Sequence, residues 1–313
     1  MAIMKITSDG DPFPAKAGIG TPTNTGPRNF SPLSPTGFDQ ILDQVPNKEY
    51  NIKYRAGDRP LFEEPAEQIE PDTIIGVATN GVPIYSPGSK FNPATNENSG
   101  LLTWDVGGVY AGTLLDSCGG RPEETNEYRY RHGNFVYKGF SGVTNNNDLF
   151  INSSEYYLNN PFGSDHLRHG ANADYPTFEA GHSKIIGWSL DGYPIYGPFG
   201  YSNPDDETSD ITLMRSRYRL KDVDQGDIIP SGRKLGAPMG TYTDDYTFDS
   251  SLPGTLDAYN GRYCKTPDFR AGTYAYFVTF NDPDDNGSPP NEPTNPAYPY
   301  VIGNFSRQPR TYT

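Results

Sequence analysis

The four histidines of the chain are the residues best suited to bind a transition metal or to transfer protons. His166 and His169 lie three positions apart, and together with His182 they could supply imidazole nitrogens to a zinc-like ion if the loop folds around it. The alternative is a solvated turn at His166 and His169, with His182 hydrogen-bonded to backbone. No nucleophile stands in an evident relation to these histidines, so the sequence assigns no catalytic residue.

An acidic segment further along the chain is a second candidate site. Asp282, Asp284 and Asn286 alternate ahead of Gly287, as in the opening of a calcium loop, where alternate oxygens converge on the ion. The twelfth position, which is a bidentate glutamate in an EF-hand, is Pro293 here, and no flanking helices are evident. We therefore expect no cofactor, with a calcium ion at this loop as the alternative to a polar hairpin loop.

Other function classes are disfavoured by missing motifs and by charge. The sequence contains no nucleophile elbow, Walker loop, His-Glu-x-x-His or Cys-x-x-Cys motif. Its 25 basic and 39 acidic residues give a net charge of −14, which would repel phosphate backbones. No apolar run approaches the roughly 18 residues of a membrane span, and none resembles a signal peptide. We expect no nucleic acid and no membrane among its partners. Whether Cys118 and Cys264 pair stays open.

An internal repeat indicates which elements must position these residues. Residues 74–87 read IIGVATNGVPIYSP and residues 185–198 read IIGWSLDGYPIYGP, identical at eight of fourteen positions with an offset of 111. In each copy an apolar run precedes Asn80-Gly81 or Asp191-Gly192, dipeptides that accept the positive φ angles of a type I′ turn. A second apolar run follows. Each copy therefore predicts a β-hairpin.

The residues beyond each turn extend the parallel between the halves. Pro83 and Pro194 lack an N–H donor, which predicts an open side or a bulge on each returning strand. Downstream of the hairpins come the runs Tyr128-Arg129-Tyr130-Arg131 and Tyr274-Ala275-Tyr276, and both alternate as strands do. The two halves predict one duplicated domain.

Composition and pattern together predict an all-β fold. The 34 glycines and 30 prolines are spread along the chain and disfavour helix interiors. We expect a duplicated β-hairpin core forming a sandwich-like or barrel-like domain, with few short helices. Residues 1–70 predict a long extended N-terminal arm, with one short helix at residues 36–45, held by the same domain or by other subunits. Residues 71–313 form the β domain, with an insert at about 201–250.

Four blocks of the sequence resemble the YHYH-domain family, which is named for a Tyr-His-Tyr-His strand and found in secreted bacterial proteins and in phage genomes. The blocks are GVATNGVPIYSPG, DSCGGRPEETNEYRYRHG, GHSKIIGWSLDGYPIYGPFG and LDAYNGRYCKTPDFRAGTYAYFVT. The family motif would place histidine where this chain has Arg121, Arg129, Arg131 and Ala275, and only His182 is retained. Guanidinium has no lone pair to offer a metal. The resemblance therefore implies that the chain retains the fold of the family, with a degenerate site that has lost most of its histidines.

These observations lead us to expect a structural protein of a tailed-phage virion and not an enzyme. It would act in the tail, baseplate, neck or capsid decoration as an assembly or attachment module, in contact with other virion proteins and with copies of itself. We expect it to be made in the host cytoplasm and to end in the virion. Two alternatives stay open. One is a metal-binding protein or metal-dependent enzyme of the YHYH type, and the other is a host-surface or glycan-binding appendage.

Overall fold

The computed structural model describes the chain in segments. They are residues 3–8, 48–60, 65–70, 73–78, 83–89, 91–92, 97–98, 106–107, 120–124, 130–137, 182–229, 239–240, 242–281 and 295–310. From residue 88 to residue 137, and at a few strand ends, only the strand pairing is described. The helix expected at residues 36–45 and the turn dipeptide Asn80-Gly81 lie outside the described residues.

The prediction of an all-β fold with few short helices is confirmed. Strands make up 38% of the structure and helices 5%, and within the described segments no helix reaches seven residues. Two 3-10 helices, Val223–Gln225 and Thr243–Asp245, each form a single turn. The described strands build several sheets, none of which closes into a barrel. Among the described residues, no helix has the length and apolar character needed to cross a membrane.

The strands are numbered in chain order. They are β1 (Ile3–Ser8), β2 (Lys48–Lys53), β3 (Glu67–Gln68), β4 (Ile74–Ala78), β5 (Pro83–Tyr85), β6 (Gly88–Ser89), β7 (Phe91–Asn92), β8 (Glu97–Asn98), β9 (Val106–Gly107), β10 (Gly120–Glu124), β11 (Tyr130–Tyr137), β12 (Ile185–Ser189), β13 (Pro194–Tyr196), β14 (Phe199–Tyr201), β15 (Ile211–Leu213), β16 (Tyr218–Leu220), β17 (Tyr246–Phe248), β18 (Gly261–Cys264), β19 (Thr273–Phe277), β20 (Phe280–Asn281), β21 (Asn295–Pro296) and β22 (Phe305–Ser306).

An eight-stranded sheet joins the two repeats about an approximate two-fold axis. Its strand order is β10-β11-β5-β4-β12-β13-β19-β18, so each hairpin lies inside and each later strand pair lies outside. The hairpins meet where β4 pairs antiparallel with β12, and at the centre Val77 lies opposite Trp188. These two residues are themselves equivalent in the repeat, since they are 111 positions apart. The duplicated hairpin core predicted from the sequence is therefore confirmed.

The two hairpins also share their strand register. Ile74 pairs with Tyr85 in the first, and the register then shifts by a bulge before Gly76 pairs with Ile84. The second hairpin repeats this pairing and this bulge 111 residues later. On the outer side, the parallel ladder from β13 to β19 includes Ile195 and Tyr196 but not Pro194. That gap agrees with the open side expected at the proline, because proline cannot donate to a ladder.

The turn of the second hairpin differs from the type I′ turn that the sequence predicted. Gly192 has the positive φ of 94°, whereas Asp191 is not among the residues with positive φ. The backbone N–H of Gly192 donates to Ser189, and the N–H of Ser189 donates to Tyr193, both at 2.9 Å. These bonds enclose a three-residue loop whose last residue is left-handed, the second commonest hairpin connection. The type I′ prediction was wrong because Asp191 keeps a negative φ while its carboxylate is buried.

The strand that follows the first hairpin lies further along the sequence than its Tyr-Arg-Tyr-Arg run suggests. Tyr137 pairs with Ile84 of β5, and Tyr276 pairs with Ile195 of β13. Because Ile84 and Ile195 are equivalent in the repeat, Tyr137 corresponds to Tyr276. The run Phe135–Tyr137, which is apolar enough for an inner ladder, therefore stands where Tyr274–Tyr276 stand in the second half.

Three apolar clusters cover the described part of the sheet. Alternate residues of β19 belong to different clusters, since Tyr274 and Tyr276 join one while Ala275 and Phe277 join another. The third cluster is built by the β1–β2 ribbon, in which Tyr50 and Ile52 pack on the central strands. Residues 297–302 cover the first cluster from the far end of the chain.

Part of the predicted N-terminal arm thus packs directly on the sheet. The predicted domain boundary at residue 70 stays a prediction. At the start of the predicted insert and within it, β14 pairs with β15 and β16 pairs with β17 in two small antiparallel ladders. The run ITLMRSRYRL therefore contains two short strands.

Candidate functional site

The part of the family motif that the structure describes lies on β18 and β19. Ala275 occupies the position between paired tyrosines where the motif would place histidine, and it is 0% exposed. Its antiparallel partner is Arg262. Ala275 packs in a cluster with Tyr196, Cys264 and other apolar residues. The methyl group therefore contributes to a packed core at this position.

His182, the retained histidine, is buried against the same residues. Its ring lies 5.3 Å from that of Tyr196, 4.9 Å from that of Tyr201 and 6.3 Å from that of Phe277, measured between centroids. Burial lowers the pKa of His182 to about 4, opposed by its hydrogen bond to Ser183 and helped by the positive charge of Arg262. The imidazole is therefore neutral at pH 7.

The hydrogen bonding of His182 defines its tautomer. Nδ1 lies 2.7 Å from the carbonyl oxygen of Ser183, and a carbonyl can only accept, so Nδ1 carries the proton. Nε2 then has a free lone pair, and it is buried without a hydrogen-bond partner among the described residues. Metal-ligating histidines commonly show this arrangement, with one nitrogen donating to a carbonyl and the other facing the ion.

Arg262 places a positive charge close to His182 and pairs with Ala275. Its side chain is 7% exposed, and Nη2 donates to the carbonyl oxygen of Tyr201 at 2.5 Å. The guanidinium also lies 5.6 Å from the ring centroid of Phe277, within cation–π range. A buried guanidinium disfavours a second cation nearby, because like charges repel strongly where water is excluded. The electrostatics of this face therefore oppose metal binding at His182.

A second polar cluster lies in the turn of the second hairpin, centred on Asp191. Its carboxylate accepts hydrogen bonds from the hydroxyl of Ser189, from Tyr276 Oη at 2.6 Å and from the backbone N–H of Gln308 at 3.2 Å. Burial raises the pKa of Asp191, and these hydrogen bonds and the charge of Arg55 oppose the rise. Arg55 Nη1 donates to the carbonyl oxygen of Asp191 at 2.5 Å.

This cluster joins two segments that are far apart in sequence, one after β2 and one after β22. Arg55 Nη1 also donates to the carbonyl oxygen of Pro309, and the backbone N–H of Arg307 donates to Tyr276 Oη at 2.7 Å. Nearby, Arg310 forms an ion pair of 3.0 Å with Glu67. The polar groups around Asp191 therefore hold the segment before β3 and the segment after β22 against one turn.

A second buried carboxylate, Asp257, is bonded in a similar way. It accepts from Tyr274 Oη at 3.0 Å and from the backbone N–H groups of Tyr259 and Gly261. Burial raises its pKa, and these hydrogen bonds oppose the rise. Burial also raises the pKa of Tyr274. Neutral tyrosine hydroxyls that donate to buried carboxylates satisfy groups that would otherwise be costly to bury.

The remaining candidate residues divide between described and undescribed parts of the chain. The described residues contain no group of three or more His, Cys, Asp or Glu side chains that could hold a metal. Cys264 is a buried free thiol. Residues outside the described part, or without a described side chain, are His166, His169, the calcium-loop residues Asp282, Asp284 and Asn286, Cys118, Arg121, Arg129 and Arg131.

The strand pairing nevertheless relates Arg121 to the second half. Arg121 pairs with Val136 on β11, and Arg262 pairs with Ala275 on β19. Since Tyr137 corresponds to Tyr276, Arg121 and Arg262 are equivalent positions of the duplicated sheet. The motif predicts Arg121 at the degenerate site but gives no signal for Arg262, because the two blocks are too different in sequence to align without the strand pairing.

Asp191 was predicted only as a turn residue, and Arg55, Tyr276 and Gln308 were not assigned to a site. One signal was present in the repeat, where Asp191 replaces Asn80 in otherwise similar hairpins. A charge that appears in only one copy of a repeat points to groups near that copy that stabilise it, as Tyr276 and Gln308 stabilise Asp191.

Comparison with known proteins agrees with the motif. The family model described as YHYH protein matches residues 53–284, which is more than half of the chain. No curated protein matches the chain, and no solved structure matches it. The match begins within β2 and includes both hairpins, the insert, β18 and β19. On this evidence the chain belongs to the YHYH protein family.

Proposed function

We propose that this chain is a non-catalytic structural component of a tailed-phage virion, acting as an assembly or attachment module in the tail, baseplate, neck or capsid decoration. The observation that carries the proposal is Ala275. It is fully buried where the family motif would place histidine, and it packs with Tyr196 and Phe277. A motif position filled by a buried methyl group suits a scaffold better than a reaction centre, which needs groups that reach a substrate.

The bonding of the buried carboxylates supports the same proposal. Asp191 and Asp257 are held by donors from the chain itself, and two donors to Asp191, Tyr276 and Gln308, are distant in sequence. Satisfied buried networks of this kind rigidify a fold and specify one arrangement of its segments. A module that connects subunits of a particle requires such rigidity. In this proposal its partners are other virion proteins and copies of itself, and it is made in the host cytoplasm.

Mass spectrometry of purified particles tests the proposal. Particles produced from the genome that encodes this chain should contain it in stoichiometric amount relative to the major capsid protein. A chain that is abundant in the infected-cell lysate but absent from gradient-purified particles would contradict a virion role. Treating the particles with protease before analysis controls for adsorbed protein.

A metal-binding function is the second candidate, because Nε2 of His182 has a lone pair and no partner among the described residues. Elemental analysis of the purified protein distinguishes the candidates. A stoichiometric transition metal that is lost in His182→Asn but kept in the matched variant His132→Asn would favour metal binding. Metal absent from both variants and from the unmodified protein would favour the structural proposal.

A further inference from the structure

Exposed apolar side chains concentrate in the insert of the second half. Among the described residues, five large apolar side chains are exposed, and three of them lie in residues 220–228. Leu220 is 42% exposed, Val223 62% and Ile228 83%. We call residues 220–228 the apolar loop. Single exposed apolar residues are ordinary, whereas three in one short segment indicate a contact surface.

The apolar loop is linked by hydrogen bonds among its own polar groups. Asp222 caps the 3-10 helix by accepting from the backbone N–H of Asp224 at 2.9 Å, and its second oxygen accepts from Gln225 at 3.1 Å. Gly226 ends the helix with a φ of 85°. Asp227 accepts from the backbone N–H of Asp222 at 2.8 Å, which closes the loop.

The base of the loop is tied to the neighbouring strand. Arg219 donates to Asp227 at 2.5 Å and to Asp249 at 2.9 Å, so one guanidinium joins the loop to the end of β17. The carboxylate hydrogen bonds therefore point into the loop, while Val223 and Ile228 face solvent. This is the reverse of an ordinary surface turn, in which polar groups face water. A preorganised loop with β-branched side chains loses little conformational entropy when a partner covers it.

The charge around the loop indicates what the partner offers. Residues 219–229 and 242–249 carry two cations, Arg219 and Lys221, against six carboxylates. Arg219 is paired with two of those carboxylates, and the side chain of Asp224 is exposed. A partner surface that complements this charge has lysine or arginine at its edge.

We propose that the apolar loop docks into a second protein of the particle, which receives Val223 and Ile228 in an apolar cleft edged by lysine or arginine. The proposal rests on the virion role, since that role decides where the partner is found. Complementary charge orients the encounter, and burial of the apolar side chains supplies the affinity.

Incorporation of a variant chain into particles tests the docking. The double variant Val223→Thr with Ile228→Thr keeps β-branched side chains but makes them polar, and its copy number per particle should fall about tenfold. Ile3→Thr is the matched control, because Ile3 is 57% exposed on β1, and its copy number should not change. Asp224→Lys should lower incorporation about threefold. Equal melting temperatures of the purified variants show that folding is unaffected.

The outcomes separate the docking from the virion role. Unmodified chain in particles with full incorporation of the double variant overturns the docking and leaves the virion role intact. Unmodified chain absent from particles overturns both.

A photo-crosslinking residue at position 223 in assembled particles identifies the occupant. We expect a crosslink to another protein, at a peptide with apolar residues beside lysine or arginine. A crosslink to residues 230–238 of the same chain, or to a second copy of it, overturns the proposed partner.

Discussion

The two hairpins of the central sheet have the same strand pairing but different residues at the turn position. Both have the same register and the same bulge, 111 residues apart. At the turn, the first has Asn80 where the second has Asp191, a buried carboxylate that accepts from Ser189, Tyr276 and Gln308. The residues that repeat set the sheet. The residues that differ determine which distant segments pack on it.

The glycines show how close the symmetry is at the axis. A side chain at Gly76 would meet the carbonyl oxygen of Trp188 at 2.7 Å, and one at Gly187 would meet that of Val77 at 2.8 Å. Each would also meet the isoleucine of the opposite hairpin, Ile195 or Ile84. The retained Ile-Ile-Gly of the repeat therefore has a physical cause, since β4 and β12 approach too closely there for any side chain.

The largest loss of stability is expected at Gly192, where the second turn contacts the backbone of Lys53 at the end of β2. Gly192 has a φ of 94°, and a Cβ there would overlap the carbonyl oxygen of Lys53. Gly192→Ala should reduce the free energy of unfolding by about 4 kcal/mol, because backbone must shift as well as accept strain. Urea denaturation measures the loss.

Gly57→Ala is the matched control for this effect. Gly57 has a φ of 88°, but no atom lies within 4 Å of the place that a Cβ would take, so alanine there adds strain without a clash. It should cost about 1 kcal/mol. Equal losses of stability in the two variants would show that Lys53 does not pack against the second turn.

Alanine at the symmetry axis tests the likeness of the hairpins. Gly76→Ala and Gly187→Ala should each cost about 3 kcal/mol, because each places a Cβ against backbone that cannot move independently. Whether the two losses of stability are equal is more informative than how large they are. Two values that differ by more than about 1 kcal/mol would break the proposed two-fold equivalence of β4 and β12.

The pH dependence of stability tests the buried histidine of the second half. The pKa of His182 is lowered from 6.5 to about 4 by burial, so the folded state resists protonation that the unfolded state accepts. As pH falls from 6.5 to about 4, the unmodified protein should lose up to about 3 kcal/mol relative to His182→Asn. Asparagine keeps a donor to Ser183 but cannot ionise.

Unfolding free energies of both proteins, measured at several pH values, check this difference. Subtracting the two curves removes the contribution of the buried carboxylates, whose raised pKa values have the opposite sign. Parallel curves would mean that His182 is protonated or exposed in the folded state.

The smallest loss of stability is expected when Asp191 is replaced by asparagine, the residue at the equivalent position of the first copy. Asp191→Asn should cost about 1 kcal/mol near pH 7, because the amide oxygen can accept from Tyr276 and Gln308 while its NH₂ group donates to Ser189. Asp191→Ala, which leaves those donors unpaired, should cost about 3 kcal/mol.

The pH dependence of the same variant has a defined sign. Burial raises the pKa of Asp191, so protonation favours the folded state, and this contribution is lost as pH rises above the ordinary range of aspartate. The unmodified protein should therefore lose stability relative to Asp191→Asn as pH increases. A change in the other direction would mean that the hydrogen bonds and Arg55 outweigh burial.

Sequence reasoning predicted the parts of the fold that local pattern encodes. The repeat predicted both hairpins, and the proline and glycine content predicted a fold almost without helix. The prediction was wrong where the same local sequence is compatible with two different structures. Asp191-Gly192 is compatible with a type I′ turn and with a three-residue loop, and the buried partners of the carboxylate decide between them. Likewise the alternating run Tyr128–Arg131 and the apolar run Phe135–Tyr137 are both compatible with a strand, and only pairing with β5 distinguishes them.

The candidate site was predicted less completely. His182 and Ala275 could be chosen because each stands at a recognisable motif position. Arg262, Arg55 and Gln308 could not, since their roles depend on contacts made across 61, 136 and 117 positions of sequence, respectively.

The sequence by itself determined that the chain is a duplicated β protein of the YHYH type, because turn dipeptides, prolines and the repeated apolar runs act within a few residues of one another. Only the tertiary structure decided that the two copies meet about a two-fold axis at Val77 and Trp188, and that Asp191 lies buried against the segments that follow β2 and β22. Such contacts depend on which surfaces exclude water together, and that choice is made by the whole fold and not by any local run of residues.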